Sequence, residues 1–156
     1  MKINRIIYGI AMVVLGAFSL AACSNGSSEQ VDAHMEAEEH VETPHEYEEL
    51  KNPYEGDHEV AEAGAEIYQA NCETCHGTEG KGDGPAAAGL DPQPADLTDT
   101  HMMEEMSDGA LFWRVSEGGM MEPFNSVMPA WKGTLTDDQI WQVVTYIQEF
   151  VEEDHD

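Results

Sequence analysis

The C-terminal part of the chain has the most regular alternation of apolar and polar positions. Apolar residues recur there at helical spacing and form one stripe. Just before the stripe, Thr136 and Gln139 have the spacing of a capping box, and Leu135 and Ile140 that of a hydrophobic staple. The pattern predicts a long amphipathic helix. Its stripe consists of Ile140, Val143, Val144, Ile147 and Val151.

A second amphipathic helix is predicted immediately before two closely spaced cysteines. Its stripe contains Val60, Gly64, Ile67, Tyr68 and Cys72. Glycine inside a helix costs roughly 1 kcal/mol relative to alanine. A close crossing with another helix would explain why Gly64 lies on the apolar stripe.

A third helix is predicted between these two. Ser107 has the position of an N-cap, the helix runs to about Glu117, and Gly118 and Gly119 end it. The apolar face of the third helix is formed by Leu111, Phe112 and Val115, with Trp113 and Arg114 beside it.

The most specific motif is Cys72-Glu73-Thr74-Cys75-His76. Two cysteines two residues apart, followed by histidine, form the attachment pattern of a c-type haem. On a helical turn both sulfurs lie on one face and can bond to one porphyrin, and the imidazole can then bind the iron. A redox dithiol would need a βαβ context and a zinc site a second pair of ligands, and neither pattern is present.

The first residues resemble an export leader. Lys2 and Arg5 are followed by an apolar run, Ile6 to Phe18, that is shorter than the roughly 20 residues of a membrane-spanning helix. The leader ends in Leu20-Ala21-Ala22-Cys23, which resembles the lipobox of bacterial lipoproteins. We therefore expect a signal peptide over 1–22 and a lipid on Cys23, with ordinary secretion after Ala22 as the alternative.

Composition divides the mature chain into three parts. Residues 23–57 are acidic and poor in large apolar residues, which predicts a disordered tether. Its r.m.s. reach would be on the order of 30–35 Å. The folded domain is expected over 58–152, and 153–156 form an acidic tail. Scattered histidines in the tether leave metal capture open as a minor alternative.

The charge balance is strongly acidic. Lys and Arg number 6 and Asp and Glu number 32, for a formal net charge of -26. This charge excludes nucleic acid as a partner. It favours docking to a basic protein surface, or survival in high salt.

The folded part resembles class I monohaem cytochromes c. In that family a glycine eight residues and an aromatic residue four residues before the first haem cysteine pack against the last helix, and Gly64 and Tyr68 hold those positions. Val143 and Tyr146 hold the matching positions on the last helix. The resemblance covers roughly 58–152 and implies a small all-α fold, with three to five helices around one covalent haem and crossing terminal helices.

The resemblance also implies the iron ligands. His76 is the expected proximal ligand, and Met128, followed by Pro129, Ala130 and Trp131, resembles the segment that carries the distal methionine. Proline restricts itself and the residue before it, so such a loop is pre-organised. Met120 and Met121 are the competing candidates.

Three further residues are expected around the haem by the same resemblance. The glycine-rich and proline-rich loop over 77–97 should wrap the haem edge, and Pro85 is the candidate whose carbonyl accepts a bond from the axial histidine. Arg114 is a candidate for a propionate, and Trp131 for contact near the haem.

Histidine and methionine together would leave no open iron position, which implies electron transfer rather than catalysis. We expect a lipid-anchored carrier facing the periplasm or exterior. It would pass single electrons in a respiratory chain between a quinol-oxidising complex and a terminal acceptor. The chain looks similar to the lipid-anchored monohaem subunit of alternative complex III, and the two variants are a permanent place in such a complex and an unattached shuttle. The alternatives are a haem enzyme or gas-binding sensor with an open sixth position, and a metal-binding lipoprotein.

Overall fold

The structure is a computed structural model that describes residues 42–152. The predicted leader, Cys23, much of the predicted tether and the acidic tail lie outside the described residues. Within the described range the regular elements are helices, and none is long and apolar enough to cross a membrane. They are α1 His45–Glu48, α2 His58–Asn71, α3 Glu73–His76, α4 Thr100–Glu105, α5 Asp108–Glu117 and α6 Asp137–Glu152.

The crossing of α2 and α6 organises the fold, and it occurs at Gly64 as predicted. A Cβ built on Gly64 would lie 2.0 Å from the carbonyl oxygen of Gln142 and 3.0 Å from Cβ of Tyr146. Only glycine lets the two backbones approach this closely. One turn further along α2, the ring of Tyr68 contacts those of Tyr146 and Phe150 at centroid distances of 5.3 and 5.6 Å.

The core lies between these helices and α5. The predicted stripe of α6 is buried except at its end, where Val151 is partly exposed. Trp113, expected at the edge of the apolar face of α5, is itself buried. The fully enclosed part of the core belongs to α6, and its largest members are Ile140, Val143 and Val144.

The predicted helix ends are confirmed. The backbone N–H of Thr136 donates to Oε1 of Gln139 at 3.0 Å, and the N–H of Gln139 donates to Oγ1 of Thr136 at 3.2 Å. This reciprocal pair is a capping box. Oγ of Ser107 accepts from the N–H of Ala110, and α5 ends at Gly118, whose φ is +71°.

The predicted boundary at residue 58 is wrong. Residues 44–57, which we call the N-terminal strap, pack against the domain instead of forming part of a disordered tether. The ring of Tyr47 lies 6.2 Å from that of Phe112, and Leu50 packs against the core. Gly109 allows this contact, because a Cβ there would lie 1.8 Å from the carbonyl oxygen of Tyr47.

A buried amide fixes the middle of the strap. The side chain of Asn52 is 6% exposed and donates to Oγ1 of Thr145 at 3.0 Å and to Oε1 of Gln148 at 2.9 Å. Its backbone N–H donates to Asp108 at 3.1 Å. Acidic composition suggested a solvated segment, but a few well-placed contacts are enough to order it.

The short helix α4 was not predicted. Asp99 accepts a capping bond from the N–H of Met102, and the side chain of Met103 is 5% exposed against the core. Six residues give too short a pattern for periodicity to detect. Within residues 42–152, no group of three histidine, cysteine or acidic side chains is placed to hold a metal ion.

Candidate haem site

The attachment motif forms a single helical turn at the end of α2. The N–H groups of Cys75 and His76 both donate to the carbonyl of Cys72, at 3.1 and 2.9 Å. Both cysteine side chains are partly buried. Their spacing on one turn places the two sulfurs on the same face, as attachment to one porphyrin requires.

The loop over 77–97 supplies the hydrogen bonds that the short turn cannot make for itself. A single turn leaves its last carbonyls without intrahelical partners. Backbone N–H groups of the loop donate to three of these carbonyls, so the motif is held from outside as well as from within. The bonds run from Gly82 to His76 at 2.8 Å, from Gly84 to Cys75 at 3.1 Å and from Ala86 to Thr74 at 2.9 Å.

The residue after the motif must be glycine. Gly77 has φ of +81°, and a Cβ there would lie 2.2 Å from a carboxylate oxygen of Asp83. The hydroxyl of buried Tyr68 donates to the Gly77 carbonyl at 2.8 Å. The tyrosine that packs against α6 therefore also ties the end of the motif to the helix crossing.

The imidazole of His76 is oriented by a backbone carbonyl. Its Nδ1 lies 3.3 Å from the carbonyl oxygen of Ala95, which suits an Nδ1–H donor and leaves Nε2 for iron. The prediction that Pro85 supplies this carbonyl is wrong, since Pro85 is exposed and the bond is to Ala95. Every residue has a carbonyl, so sequence could not identify the one that the loop brings to the ring.

Burial favours the neutral forms of His76 and of the attachment cysteine Cys72. It lowers the pKa of His76; the hydrogen bond to Ala95 opposes this shift, and the nearby charge of Arg114 adds to it. A lowered pKa favours the neutral ring, which is the form that binds a metal. Burial, and then Cys75, raises the pKa of Cys72 to about 11. Two thiols and a neutral imidazole on one turn fit the donor set of a c-type haem.

The segment 126–132, which we call the Met128 loop, runs back along the end of α5. The N–H of Gly119 donates to the carbonyl of Met128 at 2.9 Å. Gly118 permits the approach, because a Cβ there would lie 2.5 Å from the same oxygen. Further along, Trp131 and Lys132 donate from their N–H groups to the carbonyls of Val115 and Ser116 at 3.2 and 3.0 Å.

The three candidate methionines differ in exposure. Met120 is 68% exposed, whereas Met121 and Met128 are partly buried. Met128 is also the one whose own carbonyl is bonded to the end of α5. Trp131 packs against the core through its ring, which anchors the loop.

Arg114 connects the two halves of the site. Its charge contributes to the lowered pKa of His76, and its guanidinium donates to the carbonyl of Gly118 at 3.1 Å beside the Met128 loop. The same group lies 3.4 Å from the ring centroid of Phe124. Its role towards a propionate stays a prediction. Sequence reasoning missed Ala95, the Tyr68 hydroxyl and the contacts of Glu117 described below.

The fold and this donor set define a small all-α cytochrome of the c type, with one covalent haem c. The family described as "Cytochrome C oxidase, cbb3-type, subunit III" matches residues 59–147. The chain belongs to that family. Membership of a family of c-type cytochromes supports electron transfer as the activity.

Relatives and a solved structure agree with this assignment. The chain is 30% identical over 88 residues to the Cbb3-type cytochrome c oxidase subunit FixPc of Rhizobium leguminosarum, covering 56% of this chain and 27% of that protein. It is 32% identical over 92 residues to subunit FixP of Azorhizobium caulinodans, covering 59% and 28%. The chain thus spans about a quarter of the length of these relatives.

The structural comparison covers a similar portion. A chain of the reducing HAO-like protein complex of Kuenenia stuttgartiensis superposes with a TM-score of 0.50 at 29% identity, over 60% of this chain and 44% of that one.

Proposed function

We propose that this protein carries single electrons at one haem held by Cys72 and Cys75, with His76 and Met128 as the axial ligands. The observation that carries the proposal is the orientation of His76. Its Nδ1 faces the Ala95 carbonyl, and the turn that holds it accepts backbone hydrogen bonds from the 77–97 loop. The haem supplies a one-electron change at its iron when it is bound.

The chain's part is to hold both axial groups in place. The backbone bonds of the 77–97 loop fix the His76 turn, and the bonds between α5 and the Met128 loop fix the methionine backbone. A thioether favours ferrous iron and raises the reduction potential. Were His76 and Met128 both bound to the iron, no position would be left for a substrate or a diatomic gas, which argues against the enzyme and sensor alternatives.

The anchor and the partners belong to the same proposal. The protein is exported, carries a lipid on Cys23, and faces the periplasm or cell exterior, where it exchanges electrons with redox proteins of a respiratory chain. Two curated relatives are named as oxidase subunits, which supports a place in a complex. The proposal has two variants. In one the protein donates electrons to a terminal oxidase, and in the other it holds a place like that of the monohaem subunit of alternative complex III.

The strap shortens the proposed tether. If the linker extends only from Cys23 to the strap, it has about 20 residues and an r.m.s. reach of about 25 Å. Anchoring then raises the concentration of the domain near membrane complexes, so a weak encounter is sufficient. The acidic surface would steer the domain towards a basic partner.

A comparison of anchored and unanchored protein tests this proposal. Mass spectrometry of the native protein should find an acylated Cys23 as the first residue. Electron exchange of a form lacking the lipid with its co-purified partner should slow steeply as salt rises, since the Debye length is only about 10 Å at 0.1 M. An unmodified Cys23 would contradict the anchor, and indifference to salt would contradict the steering.

A further inference from the structure

The N-terminal strap is connected to the Met128 loop through one carboxylate. Oε1 of Glu117 accepts a hydrogen bond from the hydroxyl of Tyr47 at 2.9 Å, and the same oxygen accepts from Nζ of Lys132. Tyr47 belongs to the strap, Glu117 ends α5, and Lys132 ends the Met128 loop. We call these three residues the Glu117 junction.

The position of Glu117 places this junction where α5 meets the Met128 loop. Glu117 is followed by Gly118, where a Cβ would lie 2.5 Å from the carbonyl oxygen of Met128. The side chain of Glu117 is 19% exposed, whereas that of Lys132 is 58% exposed. A carboxylate that serves two donors stabilises more than a single open surface pair, because its hydrogen bonds are charge-assisted.

The strap end of the junction is itself firmly seated. Tyr47 contacts Phe112, and the carbonyl of Tyr47 lies against Gly109. These contacts hold the ring of Tyr47 in place. The bond from Tyr47 to Glu117 therefore connects the Met128 loop to a segment that is packed across α5.

We propose that Glu117 is a positioning residue, through which the N-terminal strap holds the Met128 loop against the end of α5 and so keeps the distal methionine on the iron. This inference rests on the proposed ligation by Met128. It assigns the strap a role in the redox site, although no strap residue is part of the attachment motif or the Met128 loop.

The test uses the haem-loaded full-length protein and two pairs of variants. Tyr47→Phe removes one strap hydroxyl at the junction, and its matched control Tyr54→Phe removes the strap hydroxyl that bonds to Asp138 on α6. Glu117→Ala removes the junction carboxylate, and Glu62→Gln removes one exposed carboxylate of α2 as its control. Glu117→Gln keeps an acceptor for Tyr47 but loses the charge that attracts Lys132.

Two readouts separate positioning from general stability. Carbon monoxide should bind the ferrous form of Tyr47→Phe about five-fold faster than wild type, the change expected when one hydrogen bond is lost, and that of Glu117→Ala faster still. Glu117→Gln should be intermediate. Amide hydrogen exchange should increase in the same variants at Gly119, Trp131 and Lys132, whose N–H groups join the loop to α5.

The outcomes are distinct. The proposal stands if the junction variants change both readouts and the controls Tyr54→Phe and Glu62→Gln do not. It is overturned if Tyr54→Phe has the same effect as Tyr47→Phe, or if no junction variant exceeds its control. If Met128→Ala itself fails to admit carbon monoxide, the ligand assignment under the proposed function is wrong, and the positioning role falls with it.

Discussion

The two sides of the haem site are held by different kinds of contact. On the His76 side, backbone bonds from the 77–97 loop reach three successive carbonyls of the motif, and Tyr68 ties the end of the motif to the helix crossing. On the Met128 side, backbone bonds also join the loop to the end of α5, but there a partly exposed side-chain junction takes the place of covalent attachment and of a buried tyrosine.

This difference assigns different roles to the two sides. The His76 side adds two covalent bonds to a closed hydrogen-bond framework, so it should persist through changes of redox state. In the proposed ligation, the Met128 side depends on one thioether and on a loop whose side-chain junction is partly exposed. Local opening draws on the least stable contacts, so the Met128 side is where the iron should become accessible first.

The largest effect should come from removing the covalent attachment. The double variant Cys72→Ala with Cys75→Ala should lose its haem in acid extraction and fold poorly, because the haem forms part of the core. Haem staining on a denaturing gel measures this directly. Staining at wild-type strength would show that the attachment lies elsewhere.

Removing the distal ligand should leave the haem attached but change its chemistry. Met128→Ala should lower the reduction potential by about 0.1 V or more, within the ~0.8 V range that axial ligands span. Redox titration measures the change, with Met120→Ala and Met121→Ala as controls that should stay close to wild type. A fall in one of these variants instead would identify a different methionine.

The helix crossing behind the His76 side can be broken separately. Gly64→Val should destabilise the protein by about 3 kcal/mol or more, because its side chain would meet the backbone of Gln142. Ala70→Val, on the exposed face of α2, should cost less than about 1 kcal/mol. Denaturant unfolding compares them, and equal costs would place the crossing elsewhere.

The smallest effect should appear at alkaline pH on the Met128 side. Burial, followed by the bond to Glu117, raises the pKa of Tyr47 from 10.0 to about 12. A raised pKa means that this stabilisation is fully present below pH 10 and is lost as the pH rises towards 12. Tyr47→Phe should therefore lose less stability than wild type across this window.

Thermal unfolding at stepped pH measures this loss, and Tyr54→Phe controls for the second tyrosine of the strap. The pKa of Tyr54 is also raised, chiefly by its hydrogen bond to Asp138. Identical pH curves for wild type and Tyr47→Phe would show that Tyr47 does not titrate in this window.

Elements with strong local rules could be predicted from sequence. The capping box of α6, the serine cap of α5 and the glycine at the crossing each follow from one or two residue types, and the structure contains all three. The attachment motif is equally local, since its spacing alone specifies the chemistry.

Contacts between distant backbone segments could not be predicted. The Ala95 carbonyl carries no signal in its residue type, and the loop decides which carbonyl reaches His76. Sequence predicts a tether for the strap because its acidic composition is a stronger signal than the few residues that anchor it. Asn52 and Tyr47 acquire partners only once α5 and α6 are in place.

The central claim is that both axial positions of the iron are filled by the protein, which makes it an electron carrier. Exposure of the reduced wild-type protein to carbon monoxide, followed by absorption spectroscopy, tests this most directly, with reduced Met128→Ala as the positive control. The account predicts that the variant forms its carbon monoxide complex rapidly, whereas wild type reacts only at the slow rate at which Met128 leaves the iron and keeps its spectrum over the same short exposure. Binding by wild type as rapid as that of Met128→Ala would contradict it and indicate an open-site haem enzyme or sensor.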